Sequence, residues 1–308
     1  MYDNIRIYFN DKAKFESIIR KRGGFHYTIQ SDELKNDDEN ISLYPIKGKI
    51  GTMTYVISEN FAFIESSIHK YYNFNILGKE INYNDFSYCD ITKALDELRN
   101  QLPEYDFLDT KITNLEFGFN LKLDHSVKDI IEKNILLYKN KTHYVFEDKK
   151  DFVLKKFKSG NHLFKIYDKG RQNKLDYELL RIELKYTSKE LQARKFGINT
   201  LCDLYDPYKN YLLFKDFESK FEHLLIVDDR FKKKLTKEEI ANLGNKLEYT
   251  YWLRSFNSHS TKSRHKKALQ KFIKDKQLNT IVKYLKNKIS EKFSQLFKDC
   301  EGGSPINV

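Results

Sequence analysis

The sequence predicts an α+β protein: an antiparallel β-sheet domain with flanking helices over residues 1–230, then a basic, all-helical domain over 231–308. Three observations carry this reading. Short runs with period-two alternation recur through the first 190 residues. Two segments with helical apolar spacing interrupt them rather than alternating with each strand, which favours α+β over a parallel α/β sheet. From residue 235 onward the period becomes helical throughout.

Taken in order, IRIYFN opens the β pattern, RGG at 22–24 marks a turn, and FHYTIQ resumes it. SDELKNDDEN (31–40) reads as an exposed loop. ISLYPI, a GKIG turn at 48–51, TMTYVI and FAFIESSI continue as strands. DITKALDELRNQL (90–102) reads as a helix capped by Asp90, and SVKDIIEKNILLY (126–138) as a second, capped by Ser126. Between them, ITNLEFGFNLKL (112–123) alternates cleanly, with Leu115, Phe117 and Phe119 on one face and Asn114, Glu116 and Asn120 on the other. After KTHYVFED and FVLKKF come two strands joined by GRQNKLDY; one sets Lys165, Tyr167 and Lys169 on a face, the other Arg181, Glu183 and Lys185. TSKELQARKFGI (187–198) reads as a helix. LTKEEIANLGNKLEYTYWLRSF begins the last domain with a Thr236/Glu239 capping box, followed by SHSTKSRHKKALQKFI and TIVKYLKNKISEKFSQLF; CEGGSPINV reads as a frayed tail. There is no internal repeat.

The 308 residues are 40% hydrophobic and 15% aromatic, enough for a sizeable core. The Lys/Asn/Tyr/Phe/Ile bias fits an A·T-rich genome, which accounts for part of the aromatic excess. No apolar run approaches the ~20 residues of a membrane span, and MYDNIRIYFN has no secretory pattern. Cys89, Cys202 and Cys300 are far apart and lack CxxC spacing, so they read as ordinary thiols of a cytoplasmic protein. All of the +11 net charge lies in the last quarter: residues 231–308 hold 18 Lys/Arg against 7 Asp/Glu, whereas residues 1–230 hold 37 of each. A basic module on a neutral body points to a polyanionic partner, nucleic acid first, rather than to an evenly solvated lysine surface.

Three amphipathic strands therefore present Asn114/Glu116/Asn120, Lys165/Tyr167/Lys169 and Arg181/Glu183/Lys185. If those faces align, carboxylates, a tyrosine and several cations converge. Oxygen ligands of this kind suit Mg²⁺ or Mn²⁺, which polarise a phosphodiester, while lysines neutralise phosphate. A tyrosine beside such cations can act as a nucleophile despite a reference pKa of ~10. The competing reading is a water-facing sheet side whose cross-strand Glu–Lys pairs contribute little. Alternation by itself does not separate the two.

The order SSIHKYYN (66–73), NYNDFSY (82–88), TNLEFGFN (113–120), KSGNHLFKIYDKG (158–170), LLRIELKY (179–186) resembles the replication-initiation-factor family, the rolling-circle initiators of small plasmids and filamentous phages. The resemblance covers roughly residues 41–205. It implies a nicking domain over 1–230 and a DNA-binding domain over 231–308. The implied activity is cleavage of one strand at an origin, single-stranded or in a hairpin, leaving a 5′-phosphotyrosine and a 3′-OH primer. It implies a divalent metal, Mg²⁺ or Mn²⁺, with a host helicase and a homodimer as further partners. By position, Glu116, Asn120, Asp168 and Glu183 fall on metal-binding places, Tyr167 on the nucleophile, and Lys169, Arg181 and Lys185 beside it. His69, Lys70 and Lys165 fall on DNA contacts. Asn114 stands where the family usually has Arg, and Asn120 where it often has Asp. Tyr177 and Tyr186 are rival nucleophiles. In the basic domain Arg254, Lys262, Arg264, His265, Lys266 and Lys267 are the candidate phosphate contacts, with Tyr251 and Trp252 assigned to its core.

Two other readings stay open. Asp168, with Glu183-Leu184-Lys185 fifteen residues later, also fits the D…ExK pattern of restriction-type nucleases, which form no covalent adduct. A non-catalytic DNA-binding protein would need only the basic domain. No His-x-His pair is present, and His259 and His265 lack typical metal-ligand spacing.

Overall fold

The structure, a computed structural model, describes residues 1–21, 44–143, 152–191, 196–228, 235–253, 256 and 258–298. FHYTIQ, the acidic loop 31–40, most of KTHYVFED, Arg254 and Cys300 lie outside them. The strands are β1 (Tyr2–Phe9), β2 (Ile46–Ile50), β3 (Met53–Ile57), β4 (Ala62–Ser67), β5 (Thr110–Lys122), β6 (Ile135–Tyr138), β7 (Leu154–Ser159), β8 (His162–Asp168), β9 (Leu179–Thr187) and β10 (Leu224–Ile226). Eight of them form one sheet in the order β2-β3-β4-β1-β5-β9-β8-β7, and β10 pairs with β6. The assigned pairings of β1–β4, β1–β5, β2–β3, β3–β4 and β7–β8 are antiparallel, as expected for α+β.

The helices are α1 (Lys12–Lys21), α2 (Ile68–Leu77), α3 (Tyr88–Asn100), α4 (Val127–Asp129), α5 (Lys169–Gln172), α6 (Ser188–Leu191), α7 (Pro207–Phe221), α8 (Lys237–Leu247), α9 (Tyr249–Leu253), α10 (His259–Asp275) and α11 (Thr280–Lys298). Among the described residues, none is long and apolar enough to cross a membrane.

Several local expectations are corrected. GKIG is not a turn: Gly48 to Ile50 complete β2, and the reversal falls at Gly51–Thr52. Helix α3 begins two residues earlier than expected. Its cap is Ser87, and Asp90 is the third helical residue, its carboxylate accepting from the Ser87 amide in a capping box. Ser126 does cap a helix, but only α4; the chain then makes a π turn over Ile130–Asn134 and continues as β6. ILLY is buried at every position, so its apolar run fits a strand as well as a helix face. Helices α1 and α7 and strand β10 add elements that the alternation did not indicate. The Thr236/Glu239 box opens α8 as expected. Cys202 is a free thiol.

The chain separates into two compact units, one of 1–118, 185–213 and 295–308, the other of 119–184 and 214–294; β5 and β9 run through both. In the first, Ile5, Ile7 and Phe9 of β1 and Phe15 and Ile19 of α1 are buried, and the rings of Phe9 and Phe15 stack at 3.9 Å. In the second, Phe119 meets Phe214, Phe217 and Phe293 edge-on. Helices α8–α10 share a core with β6 and β10, in which Leu137, Leu225, Leu243, Trp252 and Leu269 are buried. Trp252 is thus a core residue, as expected, and Tyr251 is half-buried beside it.

Candidate metal and nucleotide site

Strand β5 is a long alternating strand in which Lys111 and Asn114 reach solvent but Glu116 and Asn120 do not. Glu116 is 7% exposed and Asn120 9%. On β9, Arg181 is 3% and Glu183 2% exposed. Burial of charge on this scale requires partners, and Asn120, Arg181 and Glu183 supply some of them to one another. Arg181 donates from Nε to Glu183 Oε2 (2.8 Å) and from Nη1 to Asn120 Oδ1 (3.1 Å). Lys165 of β8 donates from Nζ to Glu183 Oε1 (2.7 Å). Of the expected residues, Asn120, Lys165, Arg181 and Glu183 thus form one connected network.

Asp3, on β1, is the residue that the sequence reading missed. The carboxylate oxygens of Asp3, Glu116 and Glu183 lie within 4.8 Å of one another, and all three residues are buried. Asp3 is held by residues of two motifs singled out in sequence: Ser67 of SSIHKYYN donates its hydroxyl to Oδ1, and Asn82 of NYNDFSY donates from Nδ2 to both oxygens (3.1 and 3.0 Å). The loop carrying Asn82 is itself braced. Asn73 donates to Ile81 O (2.8 Å) and to Asn84 Oδ1 (2.7 Å), and His69 Nε2 bonds the same oxygen (2.9 Å). A signal for Asp3 does exist in the sequence. It shares the parity of Ile5, Ile7 and Phe9, and a carboxylate at an apolar-parity position has to be explained; the register of β1 against β5 shifts between Tyr2 and Ile5.

Three hard oxygen donors, no histidine or cysteine, and a closely spaced carboxylate group fit Mg²⁺ or Mn²⁺. This group shares Glu116 and Glu183 with the expected ligands and adds Asp3; Asp168 and Asn120 make other contacts. Asp168 is 2% exposed and caps α5, its Oδ1 accepting from the Arg171 amide (2.8 Å). Asn120 Oδ1 seats Arg181.

Tyr167 is two residues from Lys165 on β8, hence on the same strand face. It is 8% exposed, its ring lies 5.9 Å from that of Phe152, and Lys169 Nζ sits 5.7 Å from the ring centre. Lys169 is not on the strand; it opens α5 and donates to Gln172 Oε1 (3.0 Å). The two rival tyrosines differ in their surroundings. Tyr186 is fully buried against Phe196, and Tyr177 is half-buried with Lys122 Nζ 4.8 Å from its ring. Lys185 is half-buried near the end of β9.

The expected DNA contacts divide sharply. His69 is 1% exposed, stacked on Phe86 at 4.5 Å, so it braces the Asn82 loop rather than facing solvent. Lys70 is half-exposed on α2. On α10, Arg264 and Lys267 are exposed. Lys262 instead donates to Trp252 O (2.8 Å) and Lys266 to Lys139 O (2.5 Å), and burial lowers the pKa of both. His265 bonds the Tyr251 hydroxyl through Nδ1.

No family model matches the chain, and no curated protein matches it. Among solved structures it is similar to one described as a rolling circle replication initiator protein from Geobacillus stearothermophilus. That likeness has 13% identity and a TM-score of 0.40, and it covers 80% of this chain and 96% of that one. A likeness of that strength says nothing of activity or of residue roles.

Proposed function

We propose that the protein is a replication initiator of the rolling-circle kind, which nicks one DNA strand at an origin with a tyrosine nucleophile and a divalent metal. The observation that carries this reading is the buried Asp3–Glu116–Glu183 group, with Lys165 and Arg181 bound to one member and Tyr167 on the Lys165 strand face. The motif order in the sequence supplies its direction.

Asp3, Glu116 and Glu183 would hold Mg²⁺ or Mn²⁺, which when bound polarises the phosphodiester and stabilises charge developing on its oxygens. Arg181 and Lys165 orient Glu183 and set positive charge beside the phosphate, where it is effective because the surroundings are dry. Tyr167 Oη attacks phosphorus; the bond from phosphorus to the 3′ oxygen breaks, and the phenol proton ends on that oxygen. The products are a 5′-phosphotyrosine and a free 3′-OH. Asp168, by capping α5, fixes the chain directly after Tyr167. Arg264 and Lys267 of α10, with Lys70, supply phosphate contacts, and unwinding beyond the nick falls to a host helicase.

The test uses the full chain, supercoiled plasmid carrying its origin, and Mg²⁺ or Mn²⁺. The wild type yields a nicked circle and a covalent protein–DNA band on a denaturing gel. Tyr167→Phe loses that band, and Asp3→Asn loses metal-dependent nicking. A nick without a covalent band supports the D…ExK-type nuclease instead, and an undiminished band from Tyr167→Phe removes the assignment of that tyrosine.

A further inference from the structure

The first compact unit carries a second polar face that the nicking chemistry does not use. Alternate residues of β2, β3, β4, β1 and β5 stand out of the core in two rows across the sheet. In one row the paired residues are Lys47, Val56, Phe63, Tyr8 and Lys111; in the other they are Lys49, Thr54, Glu65, Arg6 and Asn114. Each of these ten residues is half-exposed or exposed. The row between them, Gly48, Tyr55, Ile64, Ile7 and Ile112, is buried in the core. Five strands at about 4.8 Å span roughly 19 Å, the reach of a few nucleotides.

Three aromatic rings dominate this face. Phe61, just before β4, is 37% exposed, and its ring lies 6.0 Å from Phe63 and 6.2 Å from Tyr8. The planes differ by only 16° and 29°, so the rings present similarly tilted faces. The Arg6 guanidinium lies 4.6 Å from the centre of the Phe63 ring and is ion-paired with Glu65. Cations stand at the ends of the rows: Lys47 and Lys49 on β2, Lys111 on β5. Four cations thus accompany one carboxylate, and that carboxylate is engaged by one of them.

We propose that this face is a stacking platform for single-stranded DNA, with Phe61, Phe63 and Tyr8 under the bases and Lys49 and Lys111 on the phosphates. Half-exposed aromatic rings flanked by lysines are the combination that binds single strands with little sequence preference. A protein partner would favour a broader aliphatic surface, whereas Val56 is the one aliphatic side chain in the two rows. Strands β1 and β5 also carry Asp3 and Glu116, and Asn114 and Glu116 share a face of β5. The platform rests on the reading of the protein as acting on DNA.

The experiment is fluorescence anisotropy of the full chain with a labelled oligo-dT and with a duplex of equal length. The wild type binds oligo-dT, and Phe61→Ala weakens that binding about tenfold while leaving duplex binding unchanged. Lys49→Ala and Lys111→Ala each reduce the salt slope on oligo-dT by roughly 0.7. Phe61→Trp retains affinity, and its added fluorescence is quenched on binding, which covers the case in which the alanine variant fails to fold. Unchanged oligo-dT affinity in folded Phe61→Ala overturns the platform. So does an equal loss on the duplex, or a change in solution mass in place of a change in binding. The covalent band is scored separately: wild-type nicking with unchanged Phe61→Ala binding sinks the platform alone, and oligo-dT binding without any nick sinks the nicking reading alone.

Discussion

Two arginine–glutamate pairs on the sheet share their chemistry and differ in their surroundings. Arg6 and Glu65 pair across β1 and β4 with side chains 37% and 35% exposed. Arg181 and Glu183 pair along β9 with side chains 3% and 2% exposed. The first pair is solvated and has one partner each among the bonds described above. The second belongs to a chain running from Asn120 through Arg181 and Glu183 to Lys165. An exposed pair contributes little, because water competes for both ions. A dry pair is costly to assemble and more costly to break, because the survivor is left charged without compensation. Alternating charge in a strand therefore specifies a face and not its environment.

The comparison breaks most visibly at Arg181. Arg181→Met leaves Glu183 with Lys165 and strips Asn120 of its donor, and it should cost about 3–5 kcal/mol in urea unfolding with the m-value unchanged. A loss below about 0.5 kcal/mol would place the pair in the same class as the exposed one.

Lys155 sharpens the contrast, since this 5%-exposed cation donates to backbone carbonyls, Ile135 O (2.6 Å) and Glu132 O (3.1 Å). Burial lowers its pKa from 10.5 to about 8. Between those values the unfolded chain holds the proton and the folded one releases it, so stability rises with pH across that window. Below about pH 8 the penalty is complete. Relative to Lys155→Met, the wild type should gain on the order of 3 kcal/mol from pH 8 to 10.5. Parallel curves would show that this lysine stays charged at no cost.

The smallest effect belongs to the exposed pair. A double-mutant cycle of Arg6→Ala and Glu65→Ala should give a coupling under about 1 kcal/mol that shrinks further in salt. A larger, salt-insensitive coupling would mean that the aromatic rings around Arg6 dry the pair.

What could be read in the sequence follows the same division. The strands around Glu116, Tyr167 and Glu183 were legible because charge at every second residue in apolar company has few explanations. Asn120, Lys165, Arg181 and Glu183, all on those strands, form one hydrogen-bonded network. The parity of Asp3 was legible but its neighbours were not, because β1 meets β5 by pairing across more than a hundred residues. Nor was the fate of the α10 cations: Lys262 and Lys266 turn inward to carbonyls while Arg264 and Lys267 remain outside, and only the helix phase against its core decides which. ILLY at 135–138 illustrates a third limit, an apolar run too short to show its period.

The order of the eight strands leaves β2 and β7 at the two ends of the sheet. Their sequences are IKGKI and LKKFKS, and Lys49 and Lys158 are exposed on them. A free strand edge is a template on which another chain can add itself, and lysine on that edge discourages such growth. Each margin of this sheet thus carries the same sign of charge. Two copies approaching margin to margin repel before their backbones can pair.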